Sequence, residues 1–233
     1  MYRLTEEQKQ KVKALLEQMT LEEKIGQMNL ISPSIVGGFD VSFPELIEMF
    51  DDGRISYEEF GRILNTAERD YREDDIRAGK IGGMMLQEPE KVNELQKIAV
   101  EQSRLGIPML IGLDVIHGFR SVYPIAIAEA GAFDPNLFER TARMAAKESR
   151  TQGVNWHYAP MIDVARDARW GRVSEGPGED PYLASEFAAA KIHGLQGDMS
   201  CTENYVAACT KHYVAYGACE SGRDYNTTSM AKA

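Results

Sequence analysis

The hydrophobic pattern changes its period about a third of the way along the chain. Before residue 80, apolar positions recur at helical spacing, as in Val12, Leu15, Leu16 and Met19. Thr5 with Gln8 and Thr20 with Glu23 have capping-box spacing, in which a hydroxyl and a longer side chain satisfy each other's free backbone amides. Ser42 with Glu45 and Ser56 with Glu59 repeat it and predict two short helices joined at Asp51-Asp52-Gly53, a polar, acidic hairpin within residues 33–79. From Ile81 onward, short apolar runs alternate with amphipathic stretches. IGGMML (81–86) precedes a helical stretch through Leu105, and IPMLIGLD (107–114) precedes a helix opened by Asp134-Pro135. VNWHYAPMIDV (154–164) precedes a helix opened by Asp180-Pro181, and YVAACTKHYVAYG (205–217) is the fourth run. Asp at the cap followed by Pro in the first turn is a start signal, because the missing proline N–H is not needed there.

The pattern predicts a helical segment over residues 1–80 and a βαβαβαβ segment over 81–233. Such alternation implies parallel strands joined by crossovers, in an open sheet or a barrel. Polar motifs favour the barrel: Asp114 ends the second run, Arg172 follows the third, and Lys211 with His212 ends the fourth. A barrel gathers the carboxyl ends of all its strands at one mouth, whereas an open doubly wound sheet focuses ligand at one switch point. Eight βα units need about 250 residues, so the expected fold is α/β, with about the first half of a TIM-like (β/α)8 barrel.

Composition narrows the partners. At 233 residues with 43% hydrophobic content, the chain can bury one sizeable core or two small ones. A net charge of −10 repels nucleic acid and anionic membrane but does not penalise a neutral ligand. No run approaches the roughly 18 apolar residues of a membrane span. The opening MYRLTEEQKQKVK lacks a signal-peptide core, which leads to the expectation of a cytosolic protein, or a periplasmic or secreted one with its leader removed. Cys201, Cys209 and Cys219 have neither disulfide-framework nor zinc-site spacing, and no cofactor or metal is implied. DDGRISYEEF (51–60) imitates the end of an EF-hand loop, but counting back puts Phe50 at a ligand position, and phenylalanine cannot coordinate calcium.

The strand-end motifs carry chemistry suited to a polyhydroxylated ligand. An ionised Asp offers only acceptors and can take two vicinal hydroxyls, while Arg and Lys offer only donors. The alternative for Asp114 is a loop cap, and for Arg172 a scaffold pair with Asp167, Glu175 or Glu179. Taken together, MTLEEKIGQM (19–28), GLDVIHG (112–118), YAPMIDVARDARWGRVSEGPGEDP (158–181), KHYVAYG (211–217) and SGRDYNTTSM (221–230) resemble the first half of the catalytic domain of glycoside hydrolase family 3. The likeness is to its bacterial β-glucosidases of the periplasmic type. It implies a (β/α)8-like barrel and retaining hydrolysis of β-linked glucosides or short β-gluco-oligosaccharides. It also implies that Asp114, Arg172, Lys211 and His212 bind the hydroxyls of the terminal sugar. The hexosaminidase branch usually reads KHFPGHG where this chain has KHYVAYG, which favours a glucoside or xyloside.

Other candidates have plainer readings. His117 is expected as a core histidine, His157 as packed in a strand and His193 as lying on a helix face. Trp170 is either a sugar platform or a buried anchor. The acidic loop of Glu175, Glu179 and Asp180 is expected to brace the arginine. Retaining glycosidases need two carboxyl groups about 5–5.5 Å apart. The family's nucleophile belongs to an SDW- or SDH-like motif that this chain lacks, and none of Asp163, Asp167, Glu175 or Asp224 matches a catalytic position. The chain alone is therefore expected to be inactive. A non-catalytic carbohydrate-binding or assembly half-barrel and a homodimer closed through open strand edges are the alternatives.

Overall fold

Hydroxyl caps set the amino-terminal helices. The computed structural model describes residues 4–37, 41–66, 68–86, 88–198 and 202–230. Thr5 opens α1 (Glu6–Gln18), Thr20 opens α2 (Leu21–Gln27) and Ser42 opens α3 (Phe43–Asp51), each with both bonds of the capping box formed. Ser56 Oγ accepts from Glu59 N at 3.1 Å ahead of α4 (Tyr57–Thr66). α3 and α4 thus form the expected helical pair around the Asp51–Gly53 turn.

Two features of this region were not legible in the pattern. Leu30–Ile31 forms β1 and pairs in parallel with β4 (Gly83–Met85), so the main sheet begins inside the segment expected to be helical. β2 (Ser34–Gly37) and β3 (Glu68–Asp70) form an antiparallel pair that frames the helical hairpin, and α5 (Glu73–Arg77) leads on to β4. Strands of two to four residues are too short to express a period.

Among the described residues the main sheet has five parallel strands, in the order β1, β4, β5 (Leu110–Leu113), β6 (Trp156–His157), β7 (Ala207–Ala208). Every neighbour in space is the next sheet strand in sequence, which is the winding of a barrel. Between them run α6 (Pro89–Lys97), which continues as a π turn to Gln102; α7 (Ala126–Ala130) and α8 (Pro135–Arg150); and α9 (Pro181–Gln196). Asp134 and Asp180 cap α8 and α9 through their carboxylates, as the Asp-Pro signals predict.

Side-chain amides extend the short strands. Asn155 Oδ1 accepts from Ile111 N at 2.7 Å and its Nδ2 donates to Met109 O at 3.1 Å, continuing the β5–β6 ladder. Gln96 on α6 closes a reciprocal pair of bonds with the Met109 backbone. The core beneath β4 and β5 contains Met84, Leu95 and Ile111, all fully buried, each stabilising the fold by about 1.5–3 kcal/mol. Phe138 on α8 and Phe187 on α9 meet with ring centroids 5.0 Å apart and pin the helical layer.

Candidate functional site

The carboxyl ends of β5, β6 and β7 open into one cleft. Its wall comprises Asp114, Ile116, His117, Gly118, Tyr158, Arg172, Glu175, Lys211 and His212, and the space measures ≈ 1150 Å³ out to its open mouth. All four residues singled out in the sequence as ligand-binding candidates lie there.

Asp114 stands one residue beyond β5, where the chain turns away from the sheet. Lys211 continues the β7 strand, with its N–H donating to Pro160 O at 3.1 Å and its carbonyl accepting from Ile162 N at 2.9 Å. These two sequence-distant ends bring Lys211 Nζ to 2.6 Å from Asp114 Oδ1. The lysine side chain is 12% exposed and the aspartate 55%, so the ammonium is held at the wall while the carboxylate faces open space. Lys211 Nζ has three donors and the Asp114 carboxylate two oxygens, so the pair retains capacity for a ligand.

His212 is fixed by a residue considered in the sequence only as a substitute for one of the catalytic carboxyl groups. Asp163 is buried, and its Oδ2 accepts from His212 N at 3.0 Å and faces Nδ1 at 2.8 Å. With Nδ1 turned to that carboxylate, Nε2 faces Arg172 Nη2 at 3.5 Å.

Arg172 sits in the 3₁₀ turn Gly171–Glu175. Its partner is Glu175, in a bidentate pair with Nε–Oε1 at 2.7 Å and Nη2–Oε2 at 2.8 Å; this pairing raises the arginine pKa further, so the guanidinium stays charged. Asp167 is engaged elsewhere: Arg169 holds its carboxyl down at about 2. Within the acidic loop the brace is therefore Glu175, while Asp180 caps α9. Trp170 resolves as a buried anchor, 2% exposed, with Nε1 donating to Asp224 Oδ1 at 2.8 Å.

His117 corrects the sequence expectation. It is exposed and lines the cleft, because the strand ends before it and Gly118 turns the chain with φ 107°. The flanking Val115 and Ile116 imitate a core run, yet of the three only Val115 is buried. His157 is fully buried in β6, and burial lowers its pKa to about 4. His193 lies exposed on α9. Of the cysteines, Cys209 and Cys219 are free thiols, and Cys201 falls outside the described residues.

Tyr158 and Tyr216 were missed in the sequence. Tyr158 forms part of the cleft wall, and a Cβ at Gly112 would come 2.2 Å from its hydroxyl, so the glycine gives the ring its place. Burial and then the Asp114 charge raise its pKa to about 12. Tyr216 places its ring edge-on to His212, with centroids 4.8 Å apart, and its hydroxyl 3.4 Å from Arg172 Nη1. Both lie within the motifs, Tyr158 at the head of 158–181 and Tyr216 in KHYVAYG, but no spacing rule assigns either a role.

Residues 20–233 match the family model described as the glycosyl hydrolase family 3 N-terminal domain. The chain belongs to glycosyl hydrolase family 3. Its parallel sheet is the barrel-type sheet of that N-terminal domain. It is similar to a periplasmic beta-glucosidase of Salmonella typhimurium, 38% identical over 217 residues that cover 93% of this chain and 25% of the relative. A beta-xylosidase of Formosa agariphila is 38% identical over 166 residues, covering 65% of this chain and 23% of that protein. Among solved structures, a mutant beta-glucosidase from Listeria innocua in complex with laminaribiose aligns with a TM-score of 0.73 and 34% identity, covering 98% of this chain and 29% of that one. The chain thus spans about a quarter of the length of these family 3 relatives.

Proposed function

We propose that this chain supplies part of the terminal-sugar subsite of a retaining family 3 β-glucosidase, without the carboxyl pair that breaks the glycosidic bond. The observation that carries this reading is the meeting of Asp114, Arg172, Lys211 and His212 in one cleft at neighbouring strand ends. Each cation there already has a carboxylate: Lys211 has Asp114, and Arg172 has Glu175. Their fields largely cancel, so the cleft favours a neutral polyol over a phosphate. Directional donors and acceptors remain, and charge-assisted bonds to hydroxyls are about twice as strong as neutral ones.

The four carboxylates considered as substitute catalysts all have other partners. Asp163 holds His212, Asp167 holds Arg169, Glu175 holds Arg172, and Asp224 accepts from Trp170 and Tyr216. This supports the non-catalytic reading of the 233-residue chain in isolation. A chromogenic aryl β-glucoside incubated with it stays colourless, and calorimetry with glucose gives binding heat. Asp114→Ala weakens that binding roughly tenfold or more, the range for a lost hydrogen bond to a charged group. Turnover that survives rigorous purification contradicts the non-catalytic half of the proposal, and absence of glucose binding contradicts the subsite. Tighter binding of xylose than of glucose would move the parent activity to β-xylosidase, the activity in the name of the Formosa relative.

A further inference from the structure

Residues 219–228 fold back as a hairpin outside the cleft. Cys219 and Thr228 form an antiparallel bridge, Glu220 N donates to Thr227 O at 3.0 Å, and Asn226 Nδ2 donates to Glu220 O at 3.1 Å. The hairpin lies directly on the turn that carries Arg172. Gly222 has φ +64°, and a Cβ there would come within 2.9 Å of both Arg169 Cβ and Trp170 N.

At the hairpin tip, Asp224 Oδ1 accepts from two groups, Trp170 Nε1 at 2.8 Å and Tyr216 Oη at 2.7 Å. Because the Tyr216 proton is committed to Asp224, its oxygen is free to accept from Arg172 Nη1, 3.4 Å away. The Tyr216 ring also packs edge-on against Trp170 at 5.2 Å and against His212 at 4.8 Å. Two of the four sugar-binding candidates thus share one tyrosine, and that tyrosine is oriented by one carboxylate that does not line the cleft.

We propose that Asp224 is a positioning residue that acts through Tyr216, with Trp170 as its second anchor, to hold Arg172 and His212 in the geometry that receives sugar hydroxyls. Without it, the Tyr216 proton is free to turn toward Arg172, donor against donor, and the buried Trp170 N–H loses its acceptor. The hydrogen bonds from Trp170 and Tyr216 keep the Asp224 carboxyl below the usual carboxylate range, in keeping with an acceptor role and against that of a proton donor. The inference rests on the sugar-subsite reading.

The test is glucose calorimetry on the 233-residue chain. Asp224→Ala weakens binding about tenfold, the size of coupling found within one hydrogen-bond network. Asp224→Asn, which keeps an acceptor oxygen, restores most of the affinity. The double variant Arg172→Ala/Asp224→Ala loses less affinity than the sum of the two single losses, because the Arg172 arm of the relay is already gone, a non-additivity that a general loss of stability does not produce. Should Asp224→Ala fail to fold, Tyr216→Phe breaks the same relay and carries the same expectation. Unchanged binding in these variants, or additive losses in the double variant, overturns the role of Asp224 while leaving the subsite standing. Absence of glucose binding by the unsubstituted chain overturns the subsite, and this inference with it.

Discussion

Asp163 determines what His212 can offer a ligand. Oδ2 lies 2.8 Å from Nδ1 and also accepts from His212 N, which turns Nε2 toward Arg172 Nη2, 3.5 Å away. His157 has the opposite environment. Ser149 Oγ lies 2.6 Å from His157 Nε2, and among the described residues the buried Nδ1 has no hydrogen-bond partner. Charging this ring inside the core is unfavourable, and its pKa falls from 6.5 to about 4. The sign follows from linkage: between those values the unfolded chain binds the proton and the folded chain does not, so acid favours unfolding. The stability contribution of His157 is intact above pH 6.5 and is lost as pH falls toward 4. Denaturant titrations across that window should show the decline for the parent and a flatter dependence for His157→Asn; parallel curves would contradict the assignment. A histidine's placement was legible in the sequence where a regular element holds it, as for His157 in β6 and His193 on α9. His157 lies within an unbroken run and was read correctly, whereas His117 follows two apolar residues but stands beyond the end of its strand.

The elements are short, and long-range side chains hold them in place. Glu23 belongs to the capping box of α2, yet its carboxylate also takes Arg104 Nε at 2.9 Å and Nη2 at 2.5 Å from the segment that follows α6. The Arg104 hydrogen bonds, with the Thr20 amide, lower its pKa from 4.5 to about 2. Its contribution is therefore present above pH 4.5 and lost as pH falls toward 2. Glu23→Gln should melt at a lower temperature than the parent at neutral pH, and the gap should narrow as pH drops through that range. A gap independent of pH would mean that the cap alone matters. The Thr20–Glu23 cap was visible in the sequence because its residues are three apart, whereas the Arg104 partnership spans 81 positions. The same limit hid β1, whose two residues sit in a stretch of helical pattern, and the short strands β2 and β3. The four longer apolar runs were legible because their ends were marked by Asp-Pro caps and Gly-rich turns.

At the scale of the whole molecule, five parallel strands wound in sequence order direct their carboxyl ends to one rim. Motif placement alone brought Asp114, Arg172, Lys211 and His212 to that rim, because in a parallel array every strand end is a candidate position for a site. The supporting layer of Asp163, Tyr158, Tyr216 and Asp224 was not legible, since it depends on which turns pack against one another. The net charge of −10 and the paired ions of the cleft both disfavour an anionic ligand, in keeping with the subsite proposed above. The most direct measurement is a crystal structure of this chain soaked with glucose. A sugar ring is expected in the cleft, with its hydroxyls within hydrogen-bond distance of Asp114, Lys211 and His212 and at least one contact from Arg172. Glucose bound elsewhere, or a cleft that stays empty at saturating sugar, would contradict it.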